Sequence, residues 1–325
     1  MATVVVTRRL PAPGITPLVE AGLDVDHHDD DEPMPRVELL RRVGGCDGLL
    51  AMLTDRVDDE LFDAAPGLTV VANLAVGYDN VDVAAAERRG VVVTNTPGVL
   101  TEATADLTWA LLLAAARRVG EGERLVRAGR WRGWRPTELL GHAVAGRTLG
   151  IVGMGAIGTA VARRATGFDM RITYASRRSV PAVEAGLGAV HLPLPDLLAG
   201  ADVVSLHVPL TAETHHLLDA AALALMRPHA ILVNTARGPV VDEAALAGAL
   251  AAGSIAAAGL DVYEREPEVT DALLASDRVV LLPHLGSATV EARGAMVELA
   301  AANLVAVLGG RTPLTPVSPS SGRGA

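Results

Sequence analysis

The sequence predicts an α/β protein built on doubly wound parallel sheets. Short apolar runs alternate with helix-like segments along most of the chain. Several runs are apolar on both faces, as strands buried in a parallel sheet must be. One of them, Leu149–Val152, enters three glycines spaced G-x-G-x-x-G, followed by a helix-like segment at Thr159–Ala165. At 325 residues the chain has room for two domains, each with its own core.

Composition narrows the function. Apolar residues make up 50% and aromatics only 2%, so packing must come from small aliphatic side chains. There is no lysine, which reads as coding bias. A net charge of −10 and a pI near 5.4 argue against nucleic acid or anionic membranes as partners. The single cysteine, Cys46, has no intramolecular partner and reads as a small core residue of a protein kept reduced. No leader is visible at the start, and the Ala-rich run Ala244–Leu260 is broken by Gly and Ser and too short to span a bilayer. A soluble, cytoplasmic protein is expected.

In chain order, Thr3–Thr7 is a first strand, bounded by Pro11 and Pro13. Asp26–Glu32 is an acidic loop containing His27 and His28. Neighbours on a loop rarely converge on one ion, so solvation is expected rather than a metal site. A helix at Val37–Val43 precedes strands Gly48–Leu53 and Leu68–Leu74. The second strand runs into Ala75-Val76-Gly77-Tyr78, whose turn is either an anion cradle or a plain connection. Helix Ala84–Arg88 and strand Val91–Thr94 follow. The break at Asn95–Gly98 and a cap at Thr101 introduce a helix through Ala105–Arg118, and a domain boundary is placed near Pro97–Leu100. Gly129–Pro136 holds two of the three tryptophans: a ligand rim, a subunit contact, or a loop pinned by buried indoles. Later strands are Met170–Ala175, Val203–His207, Ala230–Asn234, Ala257–Val262 and Val279–Pro283, with helices at Glu243–Ala252 and Ala288–Leu308. The Pro-, Ser- and Gly-rich tail from Thr312 is expected to be disordered.

The glycine loop is the first functional signal. A strand that turns sharply into a helix leaves the helix's first N–H groups aimed at one spot, which attracts a pyrophosphate. Gly153 permits the turn, Gly155 lets the backbone approach the phosphates, and Gly158 lets the helix close on its strand. The alternative is a Gly-rich turn in an unrelated α/β protein. The next strand ends in Ser176-Arg177-Arg178, without the acid that bonds a ribose 2′-hydroxyl in NAD-preferring units. A hydroxyl and two guanidiniums suit a 2′-phosphate, and so NADPH, with NADH possible; otherwise the arginines sit on a solvated turn.

Three further residues follow predicted strands at their C-terminal ends, where such sheets bind ligands: Arg237, Glu266 and His284. Singly, they read as a surface ion-pair partner, a solvated acid and a core histidine. Together beside a nicotinamide they form a kit for reducing a 2-keto acid. The guanidinium clamps the carboxylate, the imidazolium donates a proton, and the carboxylate orients the imidazole and favours its charged form.

At this point the chain resembles the D-isomer-specific 2-hydroxyacid dehydrogenases, and within them the glyoxylate/hydroxypyruvate reductases. The resemblance runs from about Gly48 to Ala301. It is carried by Ala75–Asn80, Thr94–Pro97, Gly153–Gly158, Asn234–Gly238, Asp261–Tyr263 with Glu266-Pro267, and Pro283–Thr289. It implies two Rossmann-like doubly wound domains, a cofactor domain (99–288) inserted into a substrate domain (1–98 and 289–325). It implies Arg237 as carboxylate binder and Glu266, rather than Glu264 or Glu268, as partner of the acid/base His284. Leu53, Val76 and Gly77 become substrate contacts, the last two through backbone N–H groups. Thr104, Gly153, Gly155, Ala156, Ile157, Gly158, Ser176, Arg177, Arg178, His207, Pro209, Thr235, Ala236, Asp261 and Gly286 become cofactor contacts, with no metal. The tryptophan loop fits a homodimer in which it reaches the neighbouring site.

Some similar reductases carry Asp where Gly98 stands, a difference of little expected effect. Relatives acting on phosphoglycerate carry arginines absent here at Met52–Thr54 and Asn73–Ala75, which favours a small unphosphorylated substrate, although Arg56 lies nearby. The expected reaction is reduction of glyoxylate or hydroxypyruvate. The alternatives are another 2-hydroxyacid or phosphite dehydrogenase, or a redox-sensing corepressor-like binding protein. The acidic charge and the absence of an added interaction domain count against the last.

Overall fold

A computed structural model describes residues 1–317. The chain divides into two compact units, Met1–Leu100 with Ser287–Ala325, and Thr101–Gly286. Strands β1 (Thr3–Val6), β2 (Asp24–His27), β3 (Gly48–Ala51), β4 (Val70–Asn73) and β5 (Val92–Thr94) belong to the first unit. The second holds β6 (Thr148–Val152), β7 (Arg171–Ala175), β8 (Val190–His191), β9 (Val203–Leu206), β10 (Ile231–Asn234), β11 (Ala257–Leu260) and β12 (Val279–Leu281). A last strand, β13 (Pro316–Val317), returns to the first unit's sheet.

The first sheet is ordered β13-β5-β4-β3-β1-β2 and the second β12-β11-β10-β9-β6-β7-β8. All pairings are parallel except β13 on β5. Strand order reverses between β1 and β3 in one sheet and between β6 and β9 in the other, the places where such sheets bind ligands.

Strand periodicity puts alternate residues on opposite faces. In the second unit Leu149, Ile151, Val203, Ile231 and Val233 join one core, with helix Thr101–Ala116. Val152, Val204, Leu206 and Leu232 join the other. Trp109 is the buried tryptophan: it stacks on Phe168 at 4.5 Å and donates Nε1–H to the Val161 carbonyl. In the first unit Val5, Leu49, Ala51, Val71 and Val93 share one core. Leu304 and Leu308 of helix Val290–Leu308 pack beside Gly48 and Val4 on the other face. Each fully buried Leu or Val contributes about 1.5–3 kcal/mol of transfer free energy, so these faces supply the main drive to fold. Cys46 is 1% exposed, and burial pushes its thiol up to about 12, which removes it as a nucleophile.

Five expectations need correction. The acidic loop begins later than foreseen, because Asp26 and His27 pair with Val5 and Val6 as part of edge strand β2. An edge strand tolerates charge on its open side, which hid its pattern. Thr101 lies in the first turn of helix Thr101–Ala116 instead of capping it, and that helix stops short of Arg118, whose backbone is left-handed at φ 54°. The tail is ordered from Thr312 to Val317, held by β13 pairing and by bonds to Asn303; residues 318–325 lie outside the described residues. Trp131 and Trp134 are 53% and 83% exposed, so buried indoles do not pin their loop. Among the described residues no group of His, Cys, Asp and Glu is arranged to hold a metal, and no helix is long and apolar enough to cross a membrane.

Candidate active site

The glycine loop joins β6 to helix Ala156–Ala165, at the switch point of the second sheet. Gly153 has φ 97°, and a Cβ there would stand 2.5 Å from the His207 carbonyl oxygen. At Gly158 a Cβ would meet the Gly153 oxygen at 2.2 Å. Gly155 faces open space, and no side chain caps the helix, so the first-turn N–H groups of Ala156, Ile157 and Gly158 remain available to an anion. These features fit a pyrophosphate.

Beside this loop, the Gly153 N–H bonds the Ala175 carbonyl at the end of β7. Ser176, Arg177 and Arg178 come next, both arginines exposed and no acid among them. The Ser176 hydroxyl donates to the Arg178 carbonyl, which curls the turn. Tyr174 accepts the Val180 N–H and donates to Glu184, closing its far side. His207 follows β9. Its imidazole bonds the Ser205 hydroxyl, and burial pushes its pKa down to about 3, so it stays neutral near the phosphate loop. The Pro209 carbonyl accepts from Thr214.

The three chemistry-bearing residues stand at the ends of three adjacent strands, β10, β11 and β12. His284 Nδ1 pairs with Glu266 Oε2 at 2.8 Å, with the side chains 28% and 31% exposed. Glu266 Oε1 accepts the Tyr263 N–H at 3.1 Å. Burial alone would raise the Glu266 pKa. The bond and charge of His284, the Tyr263 N–H and the charge of Arg237 outweigh it and hold the carboxyl below its ordinary range. Glu264 is taken by His216 and the Glu243 N–H, which leaves Glu266 as the partner of His284.

His284 has φ 54°, a left-handed backbone that costs a non-glycine residue roughly 1–3 kcal/mol. Fully buried Asp261 imposes it. Its carbonyl accepts the His284 N–H, and its carboxylate oxygens accept the Leu285 and Gly286 N–H groups at 2.7 and 2.8 Å. The resemblance implied a cofactor contact for Asp261; within this unit it anchors the histidine turn. Thr104 lies beside Gly286, and the Thr108 hydroxyl bonds Thr235 at 2.8 Å.

Arg237 is placed by Asn234, which belongs to the motif but has no role assigned from sequence. Asn234 accepts the Ala236 N–H and donates to the Arg237 carbonyl, an Asx turn at the end of β10. An Asn closing a buried strand was the available signal. In the other unit, Leu53 follows β3, and Val76 and Gly77 follow β4.

A family model for the D-isomer specific 2-hydroxyacid dehydrogenase NAD-binding domain matches residues 109–286. The glyoxylate reductase of Thermococcus onnurineus is 52% identical over 319 residues, 97% of this chain and 95% of that protein. That of Korarchaeum cryptofilum is 52% identical over 95% of this chain and 94% of its own. Among solved structures, the TT0316 protein of Thermus thermophilus is 51% identical with a TM-score of 0.91, covering 97% of this chain and 99% of that one. An NADPH-dependent glyoxylate/hydroxypyruvate reductase of Sinorhizobium meliloti, solved with NADP and malonate, is 37% identical with a TM-score of 0.84, covering 97% and 96%. With a glycine loop shaped for a dinucleotide and a His–Glu pair at the strand ends, the chain belongs to the glyoxylate reductase branch of the D-isomer-specific 2-hydroxyacid dehydrogenases and is an NAD(P)-dependent enzyme of that family.

Proposed function

We propose that the protein reduces small 2-keto acids, glyoxylate and hydroxypyruvate, to their 2-hydroxy acids with a preference for NADPH. The observation that carries this is the 2.8 Å pair between His284 Nδ1 and Glu266, on strand ends adjoining that of Arg237. The nicotinamide, when bound, supplies the hydride. Glu266 fixes Nδ1 of His284, which leaves Nε2 as the nitrogen that hands a proton to the substrate's carbonyl oxygen. Arg237 takes the carboxylate, and the family resemblance gives substrate contacts also to the Val76 and Gly77 N–H groups and to Leu53. The loop of Gly153, Gly155 and Gly158 would hold the phosphates, and Ser176, Arg177 and Arg178 would hold the 2′-phosphate.

The names of the relatives support the substrate class, and the Sinorhizobium enzyme supports NADPH. The exposed Trp131 and Trp134 support a homodimer joined through their loop. The single buried cysteine suits a reducing cytoplasm.

The test is a panel of 2-keto acids assayed with both cofactors. Glyoxylate and hydroxypyruvate should oxidise NADPH faster than NADH. Binding of NADPH without turnover of either acid would refute the reading. His284→Ala should abolish turnover and leave NADPH affinity unchanged; retained turnover would remove His284 as proton donor.

A further inference from the structure

We propose that Asn73 and Asn95 are positioning residues for the substrate carboxylate, and that Thr315 near the C-terminus completes their hold. This rests on the reading of Val76 and Gly77 as carboxylate contacts.

Three successive carbonyls in the turn after β4 are each bonded. The Ala75 oxygen accepts the Thr96 N–H at 2.9 Å. That of Val76 accepts Asn95 Nδ2 at 2.7 Å. That of Gly77 accepts Asn73 Nδ2 at 2.9 Å. These peptides are trans, so each N–H points opposite to its own carbonyl. Holding the carbonyls of residues 75, 76 and 77 therefore aims the N–H groups of Val76, Gly77 and Tyr78 away from Thr96, Asn95 and Asn73. Among the described residues no acceptor takes those three N–H groups. Consecutive N–H groups held this way form a receptor for an anion, and their directions are set before it arrives.

The two asparagines are themselves held. Asn73 is fully buried and exchanges amide bonds with Asn80 at 3.0 and 3.2 Å. Asn80 also donates to the Met52 and Asp55 carbonyls, which ties the loop containing Leu53 to the same network. The Asn95 carbonyl accepts the Thr315 hydroxyl at 2.6 Å. Thr315 is fixed in turn by buried Asn303, which donates to its hydroxyl and accepts the Leu314 and Thr315 N–H groups. A continuous path thus runs from helix Val290–Leu308 through Thr315 and Asn95 to the Val76 carbonyl.

The experiment compares Asn95→Asp and Thr315→Val with the unaltered full chain. Asn95→Asp keeps the size and turns the donor toward Val76 into an acceptor. Thr315→Val removes only the hydroxyl. The KM for glyoxylate and the Kd of oxamate, a carboxylate that mimics a 2-keto acid, should rise together, about tenfold for Asn95→Asp and about threefold for Thr315→Val. The KM for NADPH should stay within twofold. An unchanged glyoxylate KM in both variants, with only thermal stability lowered, would overturn the positioning role and leave the reductase reading standing. If Asn95→Asp does not fold, Thr315→Val decides alone by the same readout. Failure of the unaltered chain to turn over 2-keto acids or bind oxamate would overturn both readings.

Discussion

Replacing Glu266 with Gln tests the core of the site with almost no change in shape. The carboxylate accepts from Tyr263 N–H on one oxygen and holds His284 Nδ1 on the other. Gln offers one acceptor and one NH2 for these two positions. With NH2 toward Nδ1, the neutral Nε2–H form of the imidazole is favoured, and giving up that proton would leave an imidazolate. With NH2 toward Tyr263, a backbone N–H loses its partner, at about 1–3 kcal/mol. In both arrangements the charge opposite the imidazolium is gone. Charges about 4 Å apart interact by roughly 4 kcal/mol at the effective dielectric near a protein surface. The side chains are 28% and 31% exposed, so solvent screens part of this, leaving about 1.5–3 kcal/mol. The kcat for glyoxylate reduction at neutral pH should fall about 10- to 100-fold, with the KM for NADPH within twofold. Stopped-flow turnover with saturating NADPH measures the first and steady-state assays the second. A kcat within twofold of that of the unaltered enzyme would show that the charge opposite the imidazole is dispensable and refute the reasoning.

Three further outcomes follow from the same geometry. Arg177→Ala with Arg178→Ala should raise the KM for NADPH about 10- to 30-fold, about 0.7–1 kcal/mol per exposed guanidinium, and leave that for NADH within twofold; equal effects would remove the 2′-phosphate role. Asp202 is buried, which by itself raises its pKa, yet bonds from His229, the Thr148 N–H and Arg227 hold it at about 2. Its folded pKa lies below the unfolded 3.8, so its contribution of about 2.5 kcal/mol is present above that value and lost as pH falls toward 2. Asp202→Asn should therefore lower Tm by roughly 5–10 °C at pH 7, and the gap from the unaltered protein should close in acid; a constant gap would refute the linkage. Trp131→Ser with Trp134→Ser should convert a dimer to monomer by sedimentation velocity, and an unchanged sedimentation coefficient would place the subunit contact elsewhere.

The buried parallel strands were legible because runs such as Val70–Asn73 and Ile231–Asn234 are apolar on both faces and need no partner to be recognised. What escaped was structure whose reason lies elsewhere in the chain. β2 carries charge because it is an edge. β13 contains Pro316, which reads as a loop until an antiparallel neighbour is in place. Helix Val119–Arg127 buries no residue and carries Gly120 and Gly122 in its first turn, which read as helix breakers. In the site, Arg237, Glu266 and His284 stood out because their chemistry is unusual at strand ends. Asn73, Asn95 and Asn234 did not, since an amide that braces a carbonyl has the same sequence signature as one in water.

The returning strand β13 also sets an order of assembly. The open edge of β5 and one face of the first sheet are covered by segments that follow Gly286. On the ribosome, everything the second unit needs has been made before the first can close, although the first begins earlier. A chain halted just past Gly286 should hold a protease-resistant second unit behind an unfinished, sticky N-terminal hundred residues. The part translated first is the part that must wait.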